Sequence, residues 1–91
     1  VLMTVNGNSM EPELFDGDIV LVDQSQTKIY AGAVYAVGIE DTIMVKRLEK
    51  LPNKLVLRST NPGYDPVYLD GDERDTIRII GKVTWLCRSL N

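Results

Sequence analysis

Short runs of β-branched and apolar residues recur along the whole chain, each closed by glycine, proline or acidic turn residues. The runs lie at residues 1–5, 19–23, 33–40, 42–48, 54–59 and 76–86. No segment carries a sustained helical period of apolar residues. The acidic stretch at residues 69–75 is interpreted as a solvated turn, and Gly81 as a bulge in the last strand. Strand-like runs at such short intervals are typical of an all-β domain, built as a small barrel or as curved sheets.

Composition predicts one soluble domain over residues 1–91, since the chain is 44% hydrophobic and 25% charged. No apolar run approaches the roughly 18 residues of a membrane span, and no secretory leader is visible. The net charge of −3 argues against DNA binding by this segment, because phosphate binding needs a basic surface. Cys87 has no second cysteine to pair with, which fits a reducing cytoplasm. Its position beside Trp85 and Leu86 predicts a small buried hydrophobe.

The candidate nucleophile is Ser9, in the stretch Gly7-Asn8-Ser9-Met10-Glu11-Pro12. Glycine permits a left-handed backbone and proline fixes φ, so the two can present a hydroxyl rigidly, with N–H groups free to face an oxyanion. Most serines in such a setting are simple turn residues, so the pattern alone leaves both interpretations open. The following Asp16-Gly17-Asp18 is interpreted as a tight turn rather than a metal site, because a calcium loop needs more oxygen ligands at set spacings.

A base that activates Ser9 has to be a lysine, because the chain contains no histidine and this excludes Ser-His-Asp and Cys-His chemistry. An unperturbed lysine is neutral in roughly one molecule in 2,500 at about pH 7, and burial among apolar groups lowers its pKa. Lys46 fits best, since strand alternation places it on one face with Met44 and Leu48. An edge-strand lysine that reaches water is the alternative from the pattern alone.

Several stretches in chain order add a further signal. They are Gly7-Asn8-Ser9-Met10-Glu11-Pro12, Asp16-Gly17-Asp18-Ile19-Val20-Leu21-Val22-Asp23, Val45-Lys46-Arg47-Leu48, Ser59-Thr60-Asn61-Pro62-Gly63-Tyr64-Asp65-Pro66 and Ile79-Ile80-Gly81-Lys82-Val83-Thr84-Trp85. Together they resemble the C-terminal domain of LexA and phage CI-type repressors, the S24 peptidase-like family, over nearly the whole chain.

The resemblance implies an all-β fold of several coiled sheets with a small barrel-like part. It also implies Ser9 as nucleophile and Lys46 as general base, and their separation of 46 − 9 = 37 residues is similar to the spacing in the family. The backbone N–H groups of Ser9 and Met10 are the expected oxyanion donors. No cofactor and no metal are expected.

The activity implied is cleavage of one bond of the protein's own chain, commonly Ala-Gly, in a linker before this domain. That linker and a DNA-binding helix-turn-helix are expected upstream of Val1. DNA binding is therefore expected only through that missing domain. Ala31-Gly32 matches a turn before a core strand in the family and is not the expected scissile bond. The implied partners are a second copy of the chain and the RecA–single-stranded DNA filament of the SOS response. The apolar late strand offers Val83, Trp85 and Leu86 as candidates for the interface, and the alternative for Trp85 is a place in the core of a monomer. The expected location is the cytoplasm, without membrane contact.

Two alternatives come from other classes. One is a non-cleaving dimerisation module of a phage-type repressor, in which Ser9 and Lys46 are relics. The other is a signal-peptidase relative, since that family shares a Ser-Met-x-Pro stretch and a Lys-Arg strand, although such enzymes usually carry a membrane anchor and a longer body. A β-lactamase-like Ser-x-x-Lys is excluded, because Pro12 occupies the lysine position.

Overall fold

The computed structural model describes residues 1–90 and is nearly all-β, with 49% of the residues in strands and 7% in helix. Within those residues the strands are β1 (Leu2–Thr4), β2 (Ile19–Asp23), β3 (Val34–Ile39), β4 (Thr42–Leu51), β5 (Lys54–Arg58), β6 (Val67–Asp70) and β7 (Ile77–Cys87). A 3₁₀ helix at Gly71–Thr76 connects β6 to β7. No helix in the described part of the chain is long and apolar enough to cross a membrane. The predicted all-β fold is confirmed.

The strands form one antiparallel sheet in the order β1-β2-β7-β3-β4-β5-β6, and the sheet curls into a half-barrel. The last strand in the sequence, β7, lies inside the sheet. Its first half pairs with β3 and its second half pairs with β2. β7 therefore joins a small half of the sheet, made of β1 and β2, to a larger half made of β3 to β6.

β7 bends because its register shifts once against β2 and once against β3. The second shift adjoins Gly81, the position at which the sequence predicts a bulge. A Cβ at Gly81 would lie 2.5 Å from the Asp23 carbonyl oxygen, so β2 and β7 can approach this closely only where β7 carries no side chain.

Two clusters of buried apolar side chains stabilise the sheet. The first contains Val5, Met10, Leu14, Val20, Val22, Ala36 and Val45. The second contains Tyr35, Val37, Leu48, Leu55 and Leu57. β3 contributes to both, because successive strand residues point to opposite faces, and Tyr35, Ala36 and Val37 are all 0% exposed. The sheet is thus covered on both faces around β3.

The segment after Pro66 differs from the sequence prediction. An acidic turn was expected to begin at residue 69, but that residue lies in β6, which pairs with β5. Val67 and Leu69 alternate with polar or aromatic residues, and β5 would otherwise keep an unpaired edge, so pairing is favoured over a turn. The turn itself begins at Gly71, where the 3₁₀ helix starts and the N–H of Asp70 donates to Glu73 Oε1 at 3.3 Å.

The end of β7 differs as well. Cys87, expected to be buried, is exposed, and so is Trp85, whose exposed fraction is 58%. β3 pairs with β7 only as far as Lys82, so the residues after Lys82 have a strand partner on the β2 side alone. Their side chains therefore extend beyond the two core clusters.

Candidate active site

Ser9 lies half-buried at the start of a turn that follows β1. Before it, Gly7 has a φ of +82°, a conformation that favours glycine, and its N–H donates to Asp16 Oδ1 at 2.7 Å. After it, Met10 is 1% exposed and packs in the first core cluster, and its carbonyl accepts the N–H of Leu14 at 2.9 Å. The backbone on both sides of Ser9 is therefore held in place by hydrogen bonds and by burial.

The backbone hydrogen bonds of this turn are donated by Glu11, Glu13 and Leu14. The N–H groups of Ser9 and Met10 are not among the donors within residues 1–90. The role of these two N–H groups as oxyanion donors stays a prediction.

A buried carboxylate holds the far end of the loop. Asp18 is 2% exposed and accepts hydrogen bonds from the Phe15 N–H at 2.8 Å and from Arg88 Nε and Nη2 at 2.8 and 2.7 Å. The Arg88 hydrogen bonds lower the pKa of Asp18 despite the opposing effect of burial. The two carboxylates that the sequence places in a turn thus tie the loop together, Asp16 through Gly7 and Asp18 through Arg88.

Lys46 projects from the first half of β4 and is half-buried. Its Nζ donates to Ser59 Oγ at 2.8 Å and lies 5.8 Å from the centre of the Tyr64 ring. None of the ion pairs in residues 1–90 includes Lys46. Burial lowers the pKa of Lys46, so its amine loses its proton more readily than an exposed lysine does.

Ser9 and Lys46 line the same cavity, which has a volume of about 490 Å³. Residues 3–6 form one wall and residues 42–46 of β4 form the other, with Met10 and Val67 also contributing. The hydrogen bond of Lys46 goes to Ser59, so a direct bond between Ser9 and Lys46 stays a prediction.

Both walls of this cavity present strand edges that lack a neighbour. β1 pairs only with β2. β4 pairs with β3 from residue 42 to 47 but with β5 only from residue 47 to 51, so residues 42–46 have one strand partner instead of two. The backbone groups on these edges can accept a further extended chain between them.

Residues 59–64 contribute to the site in a way that the sequence analysis missed. Besides Ser59, which meets Lys46, Asn61 donates its N–H to the Ser9 carbonyl at 2.9 Å and its side-chain Nδ2 to the Asn8 carbonyl at 2.9 Å. The Tyr64 hydroxyl donates to Asn8 Oδ1. This segment therefore contacts both the candidate base and the backbone of the candidate nucleophile.

A second connection runs through the residue next to Lys46. Arg47 forms an ion pair with Glu13 from the Ser9 loop. Thr60 Oγ1 donates to Glu13 Oε1 at 3.1 Å, and Arg47 Nε donates to Thr60 Oγ1 at 3.4 Å. The loop, β4 and the segment after β5 are thus joined by side chains as well as by backbone.

The described residues thus form an all-β half-barrel in which a serine and a partly buried lysine line one cavity. Residues 1–84 match the family model described as Peptidase S24-like. The chain belongs to this family.

Several curated relatives are repressors. The chain is 35% identical over 82 residues to the 26 kDa repressor protein of Escherichia phage HK022, an alignment that covers 90% of this chain and 35% of the relative. It is 38% identical over 81 residues to repressor protein CI of Enterobacteria phage phi80, covering 88% and 33%. Against the LexA repressor of Oceanobacillus iheyensis it is 32% identical over 91 residues, covering 99% and 42%. The chain thus spans about a third to two fifths of the length of the relatives it matches.

Proposed function

We propose that this chain is the self-cleavage and dimerisation domain of a LexA/CI-like transcriptional repressor. The observation that carries the proposal is that Ser9 and the desolvated Lys46 line one cavity whose walls are two unpaired strand edges. The family match and the repressor relatives support it.

In the proposed mechanism, neutral Lys46 takes the proton from Ser9 Oγ as that oxygen attacks a peptide carbonyl. The N–H groups of Ser9 and Met10 stabilise the resulting oxyanion. When the C–N bond breaks, the Lys46 ammonium returns the proton to the leaving amine and an ester with Ser9 remains. Water, deprotonated by Lys46, then hydrolyses the ester and restores the free hydroxyl.

The proposed substrate is an extended segment of the protein's own chain, bound between β1 and the first half of β4. Backbone hydrogen bonds to the two free edges would fix its position, and the apolar wall provided by Val5, Met10 and Val45 favours small apolar side chains. An Ala-Gly bond meets that requirement. Ala31-Gly32 is again not proposed, because these residues lie outside the cavity and Gly32 accepts a hydrogen bond from Arg47.

The proposed binding partners are supported in two ways, by the structure for the second copy of the chain and by the relatives for the others. Dimerisation is supported by the free edge of β7 beyond Lys82 and by the exposed Trp85 and Leu86. Stimulation by a RecA–single-stranded DNA filament, DNA binding through an upstream domain and a cytoplasmic location rest on the relationship to LexA and CI repressors.

Cleavage can be tested with fusion proteins that carry a flexible peptide with one Ala-Gly bond before Val1, in a series of linker lengths. We expect cleavage at that bond, detected by mass spectrometry, with a rate that rises with pH as Lys46 loses its proton. Ser9→Ala and Lys46→Ala should each lower the rate by at least about 10²-fold while the circular dichroism spectrum is unchanged.

Lys50→Ala is the matched control, because Lys50 is an exposed lysine on the same strand. A Lys46→Ala protein that cleaves at the original rate would mean that another group is the base. If no fusion is cleaved at any linker length, the non-cleaving dimerisation module becomes the better description. The bond from Lys46 to Ser59 rather than to Ser9 is the observation that keeps this second candidate in the test.

A further inference from the structure

We propose that Ser59 is a positioning residue for Lys46, holding its amine in the orientation that proton transfer from Ser9 requires. This inference rests on the proposed function. Its first support is direct contact, since Lys46 Nζ donates to Ser59 Oγ at 2.8 Å within a partly buried region.

The strand register makes this contact a fixed feature of the fold. β4 and β5 pair antiparallel from Leu51 with Lys54 to Arg47 with Arg58. One step further along the same register, Lys46 and Ser59 lie opposite each other, and opposite residues of an antiparallel pair project to the same face. Ser59 follows the last residue of β5, so its side chain lies beside Lys46 without any long-range folding of a loop.

An accepting hydroxyl has a specific effect on a lysine base. A neutral amine has two N–H bonds and one lone pair, and only the lone pair can take a proton. When one N–H of Lys46 donates to Ser59 Oγ, rotation about the Cε–Nζ bond is restricted. The lone pair can then adopt only a few orientations. Correct orientation of reacting groups is worth large factors in rate, so the loss of this restraint should slow the chemical step.

The same segment also fixes the position of the nucleophile. Two residues after Ser59, the N–H of Asn61 donates to the Ser9 carbonyl at 2.9 Å. The Asn61 side chain bridges the Asn8 carbonyl and the N–H of Gly63, each at 2.9 Å, which stiffens the turn. Base and nucleophile are therefore both located relative to one short segment, and Ser59 is its contact with the base.

The test compares Ser59→Ala, which removes the hydroxyl, with Ser59→Thr, which keeps it, in the cleavable fusion proteins. We expect the plateau rate at high pH to fall about 10-fold or more in Ser59→Ala and to stay within about threefold in Ser59→Thr. Ser25→Ala is the control, because Ser25 is an exposed serine whose hydroxyl bonds Asp23 away from the cavity. Should Ser59→Ala fail to fold, Ser59→Cys replaces it, since a thiol is a weak acceptor of similar shape.

Ser59→Ala at the original plateau rate overturns the proposal, and so does a Ser59→Thr protein as slow as Ser59→Ala. A readout independent of cleavage is the titration of Lys46, followed by the ¹³Cε chemical shift in the 91-residue chain. The Ser59 oxygen stabilises the ammonium form, so we expect a lower Lys46 pKa in Ser59→Ala. An unchanged pKa of Lys46 in Ser59→Ala overturns the role of Ser59, whether or not the fusion proteins are cleaved. The absence of cleavage by itself counts only against the proposed function.

Discussion

The Lys46 ammonium has given up part of its water without gaining a carboxylate partner within residues 1–90. Its compensation is one neutral hydroxyl, that of Ser59, and the face of the Tyr64 ring. Nothing in this arrangement favours the charged form as strongly as water does. At the scale of single residues, the protein therefore carries a destabilising feature of the kind that clusters at functional sites.

We expect Lys46→Met to raise the free energy of unfolding at neutral pH. The folded-state pKa of Lys46 lies below its unfolded value because burial disfavours the ammonium, so the unfolded chain binds the extra proton more readily. The destabilisation is full below the folded pKa and disappears as the pH rises through it towards the unfolded value. The advantage of Lys46→Met in urea unfolding should therefore shrink in alkaline buffer.

Lys50→Met is the matched control, because it removes the same charge from an exposed position of β4. Equal stabilisation by the two substitutions would indicate that net charge, and not the burial of Lys46, is the cause.

At the scale of elements, the sequence predicted most of the strands because β-branched runs and turn residues alternate at short range. The two candidate catalytic residues also lie in one cavity. Ser59 was missed although it could have been found. The hairpin turn between Leu51 and Lys54 fixes which residues of β4 and β5 face each other. Counting opposite pairs away from that turn leads to Lys46 and Ser59.

Arg88 could not have been found in this way. It meets Asp18 across 70 residues, and that contact exists only because β7 returns beside β2. Local patterns contain no information about such a pairing, and a buried aspartate identifies its partner only after the fold is known. The exposure of Cys87 has the same origin, since β3 ends its pairing with β7 before reaching it.

The ion pair between Asp18 and Arg88 should stabilise the Ser9 loop far more than an exposed ion pair does. Arg88→Ala would leave a carboxylate with 2% exposure unpaired, so we expect a clear fall in Tm at neutral pH. Arg88 lowers the pKa of Asp18, so its contribution is present above the unfolded pKa of the carboxyl and is lost as the pH falls through the folded pKa. Calorimetry at neutral and acidic pH measures both effects.

Arg58→Ala is the matched control. The Arg58 and Arg88 side chains are 45% and 43% exposed, but the partner of Arg58, Glu49, is 35% exposed rather than buried. We expect only a small change from Arg58→Ala, as is usual for surface ion pairs. Equal losses from the two substitutions would contradict the stabilising role given to the buried carboxylate.

At the scale of the whole molecule, the sheet leaves free edges at different places. β6 is one of its two outer strands and carries the exposed Tyr68, whereas the end of β7 lies inside the strand order but lacks a β3 partner beyond Lys82 and carries the exposed Trp85. If the chain belongs to a dimeric repressor, as proposed above, a two-fold interface would match the symmetry of paired DNA half-sites.

We expect the chain to sediment as a dimer at tens of micromolar through the end of β7. Trp85→Glu should shift it to monomer, because a charge would be buried in an apolar contact. Tyr68→Glu, at an equally exposed aromatic on the other edge, should leave the dimer intact. A monomer at those concentrations would contradict dimerisation through this chain. If Tyr68→Glu dissociated the dimer and Trp85→Glu did not, the interface would lie at β6 and not at the end of β7.

The position of β7 inside the sheet also has a consequence in time. A ribosome releases the Ser9 loop before Lys46, and it releases β7, which joins their two halves of the sheet, after both. Until then, β1 and β2 have no ladder to β3 to β6, and pairings between distant residues are slow to form. The sheet that carries the cavity is completed only after β7 has been translated, so in a shorter nascent polypeptide Ser9 and Lys46 are present but not yet held in one cavity.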